Sequence, residues 1–260
     1  MGFDCAAAWG REQRGERARG GAGSVKQILD DFVQDLQRLY GSELVAVFLY
    51  GSAAAGEHVP GRSDINVAVV LTTLTPPLLR KASGHLRGWA RRGLATPVFF
   101  DPEFVHDALD VFPIEWLDMQ ERHRTLWGPD LLAELRIEVA SLRRQCEQEL
   151  RGKLLKLRQA YVESSQSPKD LEAVLVSVAS GLVVLARTLL HLRQVEERGG
   201  AAAVFESLTT QLAVRTEHLQ KAWRLKRGEV RVAGSELDFL YQGVLAEFQQ
   251  LVQVVDALPA

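Results

Sequence analysis

What the chain has little of narrows it first. Cysteine is nearly absent: among 260 residues there are only Cys5 and Cys146, and two thiols so far apart do not make a disulfide framework. A charge of one sign is missing too. Lys and Arg number 31 against 33 Asp and Glu, a net charge of −2. A general nucleic-acid binder carries a basic excess, so nucleic acid is not an expected partner, although a local basic face is compatible with this balance. No apolar run is long and clean enough for a membrane. The most apolar stretch, Leu171 to Leu192, holds Glu172, Ser177, Ser180, Arg187 and His191. Crossing a bilayer takes ~20 residues with few charges, so this stretch reads as a buried helix of a bundle and no membrane contact is expected. Residues 1–23 have no apolar core of signal-peptide length. Their arginines and glycines read as a flexible tail, and the expected location is cytoplasmic.

What is present follows two periods. From Val25 to Tyr40, apolar residues recur at helical spacing, with Ser24 and Gln27 as a capping box and Gly41 as a stop. Leu44 to Tyr50 is a continuous apolar run ending in Gly51-Ser52, a buried strand and a tight turn. Asp64 to Leu71 is a second strand, with Asp64 and Asn66 on one face by the period of two. Thr75-Pro76 opens a helix expected to run to about Arg92. Pro97 to Phe100 is a third strand, followed by Asp101-Pro102-Glu103 as an N-cap and first turn. Pro113 to His123 reads as a fourth strand. Beyond about Leu131 the pattern is purely helical, and four antiparallel helices are expected, with breaks near Ser164, Gly199 and Lys226. The expected organisation is a tail over 1–23, an αβ domain over 24–129 and a helical bundle over 130–260.

The chemistry sits at Gly51-Ser52 and, after an interval, Asp64-Ile65-Asn66. A glycine after a strand lets the backbone approach a phosphate closely. The serine hydroxyl and neighbouring amides can hold phosphate oxygens. Oxygen donors one residue apart on a strand point the same way and can share a magnesium ion. In nucleotidyl transfer such ions bridge phosphate oxygens and neutralise developing charge.

The stretch Leu49-Tyr50-Gly51-Ser52 followed by Ser63-Asp64-Ile65-Asn66 resembles the signature of the DNA polymerase β-type nucleotidyltransferase superfamily. Within it, the architecture is similar to the kanamycin nucleotidyltransferases and the minimal nucleotidyltransferases. The resemblance covers about residues 44–101. It implies an α+β fold, a small mixed-sheet nucleotidyltransferase domain followed by an antiparallel helical bundle. It also implies Gly51, Ser52, Arg62 and Ser63 at a nucleoside triphosphate, Asp64 as the catalytic carboxylate, and Asp64 with Asn66 at Mg2+. The acceptor would be a hydroxyl on a small molecule or a protein.

The departures from the pattern matter most. The family carries three carboxylates. Here Asn66 stands at the second position, and an amide oxygen ligates without charge. The third position falls on Val98, with Asp101 the nearest acid and better read as a helix N-cap. At most a single Mg2+ is therefore expected, with transfer weak or lost. A general base would have to come from the bundle or from the Pro113 to His123 strand, where Glu115 and Asp118 are the candidates. The alternative is a non-catalytic binding or regulatory module, and a homo-oligomer is left open. Arg187 and His191 have too short a spacing for a ribonuclease pair and read as buried polar residues. His106, His123 and His218 show no metal-ligand spacing. The long helix's Arg143, Arg144, Arg151, Lys153, Lys156 and Arg158 read as a solvated face paired with Glu147 and Glu149.

Overall fold

The computed structural model describes residues 24–58, 64–164, 167–179 and 181–258. The chain divides into two compact units, meeting between Ile137 and Glu138.

The first unit is built on a mixed sheet of β1 (Leu44–Tyr50), β2 (Asn66–Leu71), β3 (Val98–Phe100) and β4 (His123–Trp127), in the order β3-β2-β1-β4. β1 runs antiparallel to both β2 and β4, and β2 runs parallel to β3. The parallel pair needs a crossover, and α2 (Pro76–Ser83) with α3 (Leu86–Arg91) supplies it. α1 (Val25–Tyr40) precedes the sheet; the Ser24 hydroxyl accepts from the Gln27 amide at its start, and Gly41, with φ 54°, closes it.

Strand periodicity sorts the core into two layers. Val47, Leu49, Val67, Val69 and Leu71 pack with Leu29, Phe32 and Leu36 of α1, Ala82 of α2 and Trp89 of α3. Ala46, Phe48, Ala68 and Val70 face the other way. They pack with Val105 of α4 (Pro102–Asp107) and with Trp116 and Met119 of α5 (Pro113–Glu121). Both faces are covered, which is why these strands read as unbroken apolar runs.

The expected fourth strand is corrected here. Pro113–Glu121 is a helix, and β4 begins only at His123. Proline at the first helical position presets φ. Ile114, Trp116, Leu117 and Met119 are buried on more than one side, and a short apolar run of that kind carries no readable period. The expected helix from Thr75 to Arg92 is two helices, broken at Gly84-His85.

The second unit comprises six helices among the described residues, not four: α6 (Val139–Ser164), α7 (Pro168–Val178), α8 (Leu182–Leu192), α9 (Ala201–Leu212), α10 (Glu217–Lys226) and α11 (Gly234–Asp256). The extra breaks fall at left-handed residues, Gly181 with φ 72° and Ala213 with φ 54°. Tyr241 of α11 donates its hydroxyl to the Leu157 carbonyl of α6 at 2.6 Å. Burial first, and then neighbouring Tyr161, push the Tyr241 phenol up to about 12. Glu247 of α11 is 3% exposed and accepts from the amides of His218 (3.1 Å) and Leu219 (2.8 Å) at the start of α10, and faces His218 Nδ1 at 2.8 Å. A buried carboxylate there satisfies orphan amides and suits the helix dipole. Arg187 is half-buried and donates to the Gly199 carbonyl at 2.9 Å, while His191 is exposed, so these two are not the buried pair expected. On α6, Arg143 and Arg151 pair with Glu147 as expected, but Lys153 is buried. Among the described residues, no single helix is long and apolar enough to cross a membrane.

Candidate functional site

The site grows out of the end of β1. Tyr50 lies opposite Asn66 in the antiparallel register, so the chain leaving β1 and the chain entering β2 sit side by side. Gly51 then turns the backbone with φ 72°, a conformation that costs other L-residues roughly 1–2 kcal/mol. Its amide donates to the Arg122 carbonyl at 3.1 Å, tying the turn to the α5–β4 corner. Gly51–Ala53 forms one 3₁₀ turn; the Gly51 carbonyl accepts from Ala54 and Ala55, and the Ser52 carbonyl accepts from Glu57. The carbonyls are thus consumed locally, and the Ser52 amide and hydroxyl make no hydrogen bond to any described residue.

A methyl group added to Gly51 would lie 3.4 Å from Asn66 Nδ2, so the Asn66 amide stands directly over the turn. Asp64 lies two residues out and is exposed. Between them Ile65 is buried in the α1–α3 layer and bridges Leu94, which turns Asp64 and Asn66 toward the opposite side of the sheet. Arg62 and Ser63, the other expected phosphate contacts, lie outside the described residues.

The donor set decides how magnesium would fit. Asp64 offers one carboxylate and Asn66 one uncharged oxygen. That suits one hydrated ion shared with phosphates, and it does not suit a pair. Among the described residues, no group of three or more His, Cys, Asp or Glu could hold a metal ion together. Val98, at the expected third carboxylate, pairs with Ala68 and packs into the α4–α5 core layer. Asp101 accepts from the Phe104 amide at 2.8 Å, the N-cap role expected of it.

Sequence reasoning missed several neighbours of the turn. Burial, and then the charge of Asp118, push the Tyr50 phenol up to about 12, so it stays a neutral donor at pH 7. Asp118, named from sequence only as a candidate base, therefore lies within electrostatic reach of the residue preceding Gly51. Arg122 pairs with Glu57 at 2.9 Å, its side chain only 10% exposed, and fastens the segment after the turn to β4. No local signal marks that pair, because the partners are 65 positions apart. His123 faces Phe48 edge-on, with Nδ1 3.0 Å from the Gln120 carbonyl and Nε2 3.0 Å from Asp130.

No protein-family model matches the chain, and no curated protein matches it in sequence. Among solved structures, the fold is similar to that of spectinomycin adenyltransferase AAD(9) from Enterococcus faecialis, determined with ATP and spectinomycin. The TM-score is 0.53 at 10% identity, over 86% of this chain and 99% of that one. At this identity the likeness is one of fold: a small mixed-sheet αβ unit followed by helices.

Proposed function

We propose that this protein binds a nucleoside triphosphate between the Gly51-Ser52 turn and Asp64, with at most one magnesium ion, and that nucleotidyl transfer to a hydroxyl acceptor is slow or lost. The observation that carries the reading is the register of β1 and β2. It sets a positive-φ glycine turn, a serine hydroxyl that bonds no described residue and the Asp64–Asn66 pair at one mouth of the sheet. The fold likeness to an adenyltransferase determined with ATP supports a nucleotide over other anions.

Charge sets the expected weakness. Two magnesium ions bring four positive charges, and the Asp64–Asn66 pair offers one fixed negative charge. Unit charges 4 Å apart repel by about 4 kcal/mol at an effective dielectric of ~20. A second ion therefore has nothing to hold it, and Asp64 would share a single ion with the phosphates. That ion, when bound, supplies charge neutralisation at the phosphoryl oxygens. Gly51 and Ser52 cradle the phosphate tail, Asn66 orients it, and Tyr50 stays protonated at its base. The small-molecule hydroxyl acceptor takes its support from the same likeness of fold.

Asn66 and Val98 favour a second reading: a non-catalytic module that keeps the cleft for a ligand. Calorimetric titration with ATP and GTP, each with and without magnesium, separates the two when paired with a labelled-nucleotide transfer assay. The proposal expects nucleotide binding that Asp64→Ala weakens, with transfer near background. Robust magnesium-dependent transfer abolished by Asp64→Ala would overturn the weak-activity reading. Absence of any nucleotide binding would overturn the site.

A further inference from the structure

Between Asp64 and Asp101 the chain carries no Asp or Glu, but it carries Arg80, Lys81, Arg87, Arg91 and Arg92. All five are exposed, on or just after the two crossover helices. α2 and α3 turn Leu78, Ala82, Leu86 and Trp89 toward the sheet, which leaves the cations on the outer side. Two of them reach back to α1. The Lys81 ammonium donates to the Leu39 carbonyl at 3.3 Å, and Arg92 pairs with Asp31 at 3.8 Å. The guanidinium groups of Arg80, Arg87 and Arg91 engage no described residue. Arg87 and Arg91 are one turn apart and so are surface neighbours.

On this same sheet face α1 carries Asp30, Asp31 and Asp35, of which Asp31 pairs with Arg92 and Asp35 accepts from the Trp89 indole; a larger acidic group lies on the other face. From Asp101 to Glu121 there are seven Asp and Glu residues and no Arg or Lys, on the helices of the opposite sheet face. The near-zero net charge thus conceals a separation of charge across the unit. A polyanion meets attraction on one side and repulsion on the other, which also orients it.

We propose that the outer face of α2 and α3 binds the phosphate backbone of a nucleic acid without reading its sequence. Guanidinium groups match phosphate oxygens in geometry as well as charge. An acidic protein fits this face less well. Protein interfaces rest on buried aromatic or aliphatic anchors, and the one large apolar side chain exposed here, among the described residues, is Leu79 at 39%. A phosphate backbone needs only the charge.

The test is fluorescence anisotropy of a labelled uridine 20-mer with the full chain, titrated with KCl. Three phosphate contacts on a single strand give a log–log salt slope of roughly −2, so affinity falls about 20-fold between 50 and 200 mM salt. Arg80→Gln/Arg87→Gln/Arg91→Gln, all at exposed positions, should weaken binding at least about tenfold and flatten the slope while the melting curve stays unchanged. The single variant Arg87→Gln should flatten the slope by roughly 0.7, a readout that loss of folding would not produce. No binding at 50 mM salt would overturn the proposal, as would a triple variant that binds like wild type. Displacement of the RNA by polyglutamate as readily as by unlabelled oligomer would overturn it in favour of an acidic protein partner.

Discussion

Asn66→Asp should convert the mouth of the sheet into a better magnesium site. The change is isosteric, and Asn66 makes no side-chain hydrogen bond to a described residue, so the fold loses nothing. Residues two apart on a strand stand roughly 6–7 Å apart. Two carboxylates at that spacing beside exposed Asp64 repel by somewhat under about 1 kcal/mol in a water-like dielectric. A divalent ion near the new charge gains about 2 kcal/mol at 4 Å in the same medium. The repulsion between the carboxylates is present with and without the ion and cancels, so the gain of about 2 kcal/mol is roughly 30-fold in magnesium affinity. The assay is calorimetric titration of magnesium into the ATP-loaded variant and wild type, with transfer from labelled ATP followed in parallel. Equal magnesium affinity in the two proteins would mean that Asn66 does not face the ion.

Gly243→Ala should destabilise the second unit by about 2 kcal/mol in urea unfolding. The added methyl would lie 2.2 Å from the His218 ring and force out the ring that bonds Glu247. That combines overpacking with loss of a charged hydrogen bond, against about 1 kcal/mol of helix propensity gained. Adding His218→Ala should recover part of the loss by removing the clash. Asp130 gives a pH signature. Burial works to raise its pKa, but hydrogen bonds from His123 and from the amides of Ala133 and Leu132 outweigh it and hold the carboxyl below its usual value. A depressed folded-state pKa contributes stability above the unfolded value of 3.8, and this is lost as pH falls through the folded value. Asp130→Asn should therefore lower the urea midpoint at pH 7, and the gap from wild type should close as pH falls toward 3.

The sheet was legible because its signals are local. Leu44 to Tyr50 is a run too short for a helix, stopped by Gly51, and the structure places it beside the strand leading from Asp64, as the motif requires. The helix starts at Ser24, Thr75 and Asp101 were legible for the same reason, since each cap is a side chain bonding an amide three residues on. Pro113–Glu121 was not legible, because burial on several sides erases periodicity. The breaks at Gly181 and Ala213 were hidden too: one lies inside an apolar stretch, and the other at an alanine, which gives no warning of a left-handed turn. At the site, sequence could name Gly51, Ser52, Asp64 and Asn66 from spacing. The Arg122–Glu57 pair and the electrostatic influence of Asp118 on Tyr50 arise from tertiary neighbours dozens of positions apart. The charge separation across the sheet was likewise averaged away in a net charge of −2.

On the proposed reading, the one carboxylate of the Asp64–Asn66 pair secures no more than one divalent ion, and only together with a nucleotide. Counting bound Mn2+ by electron paramagnetic resonance, with and without ATP, measures this directly. About one bound ion per chain is expected with ATP, and near none without it or in Asp64→Ala. Two ions per chain in the presence of ATP, or one held tightly in its absence, would contradict that reading.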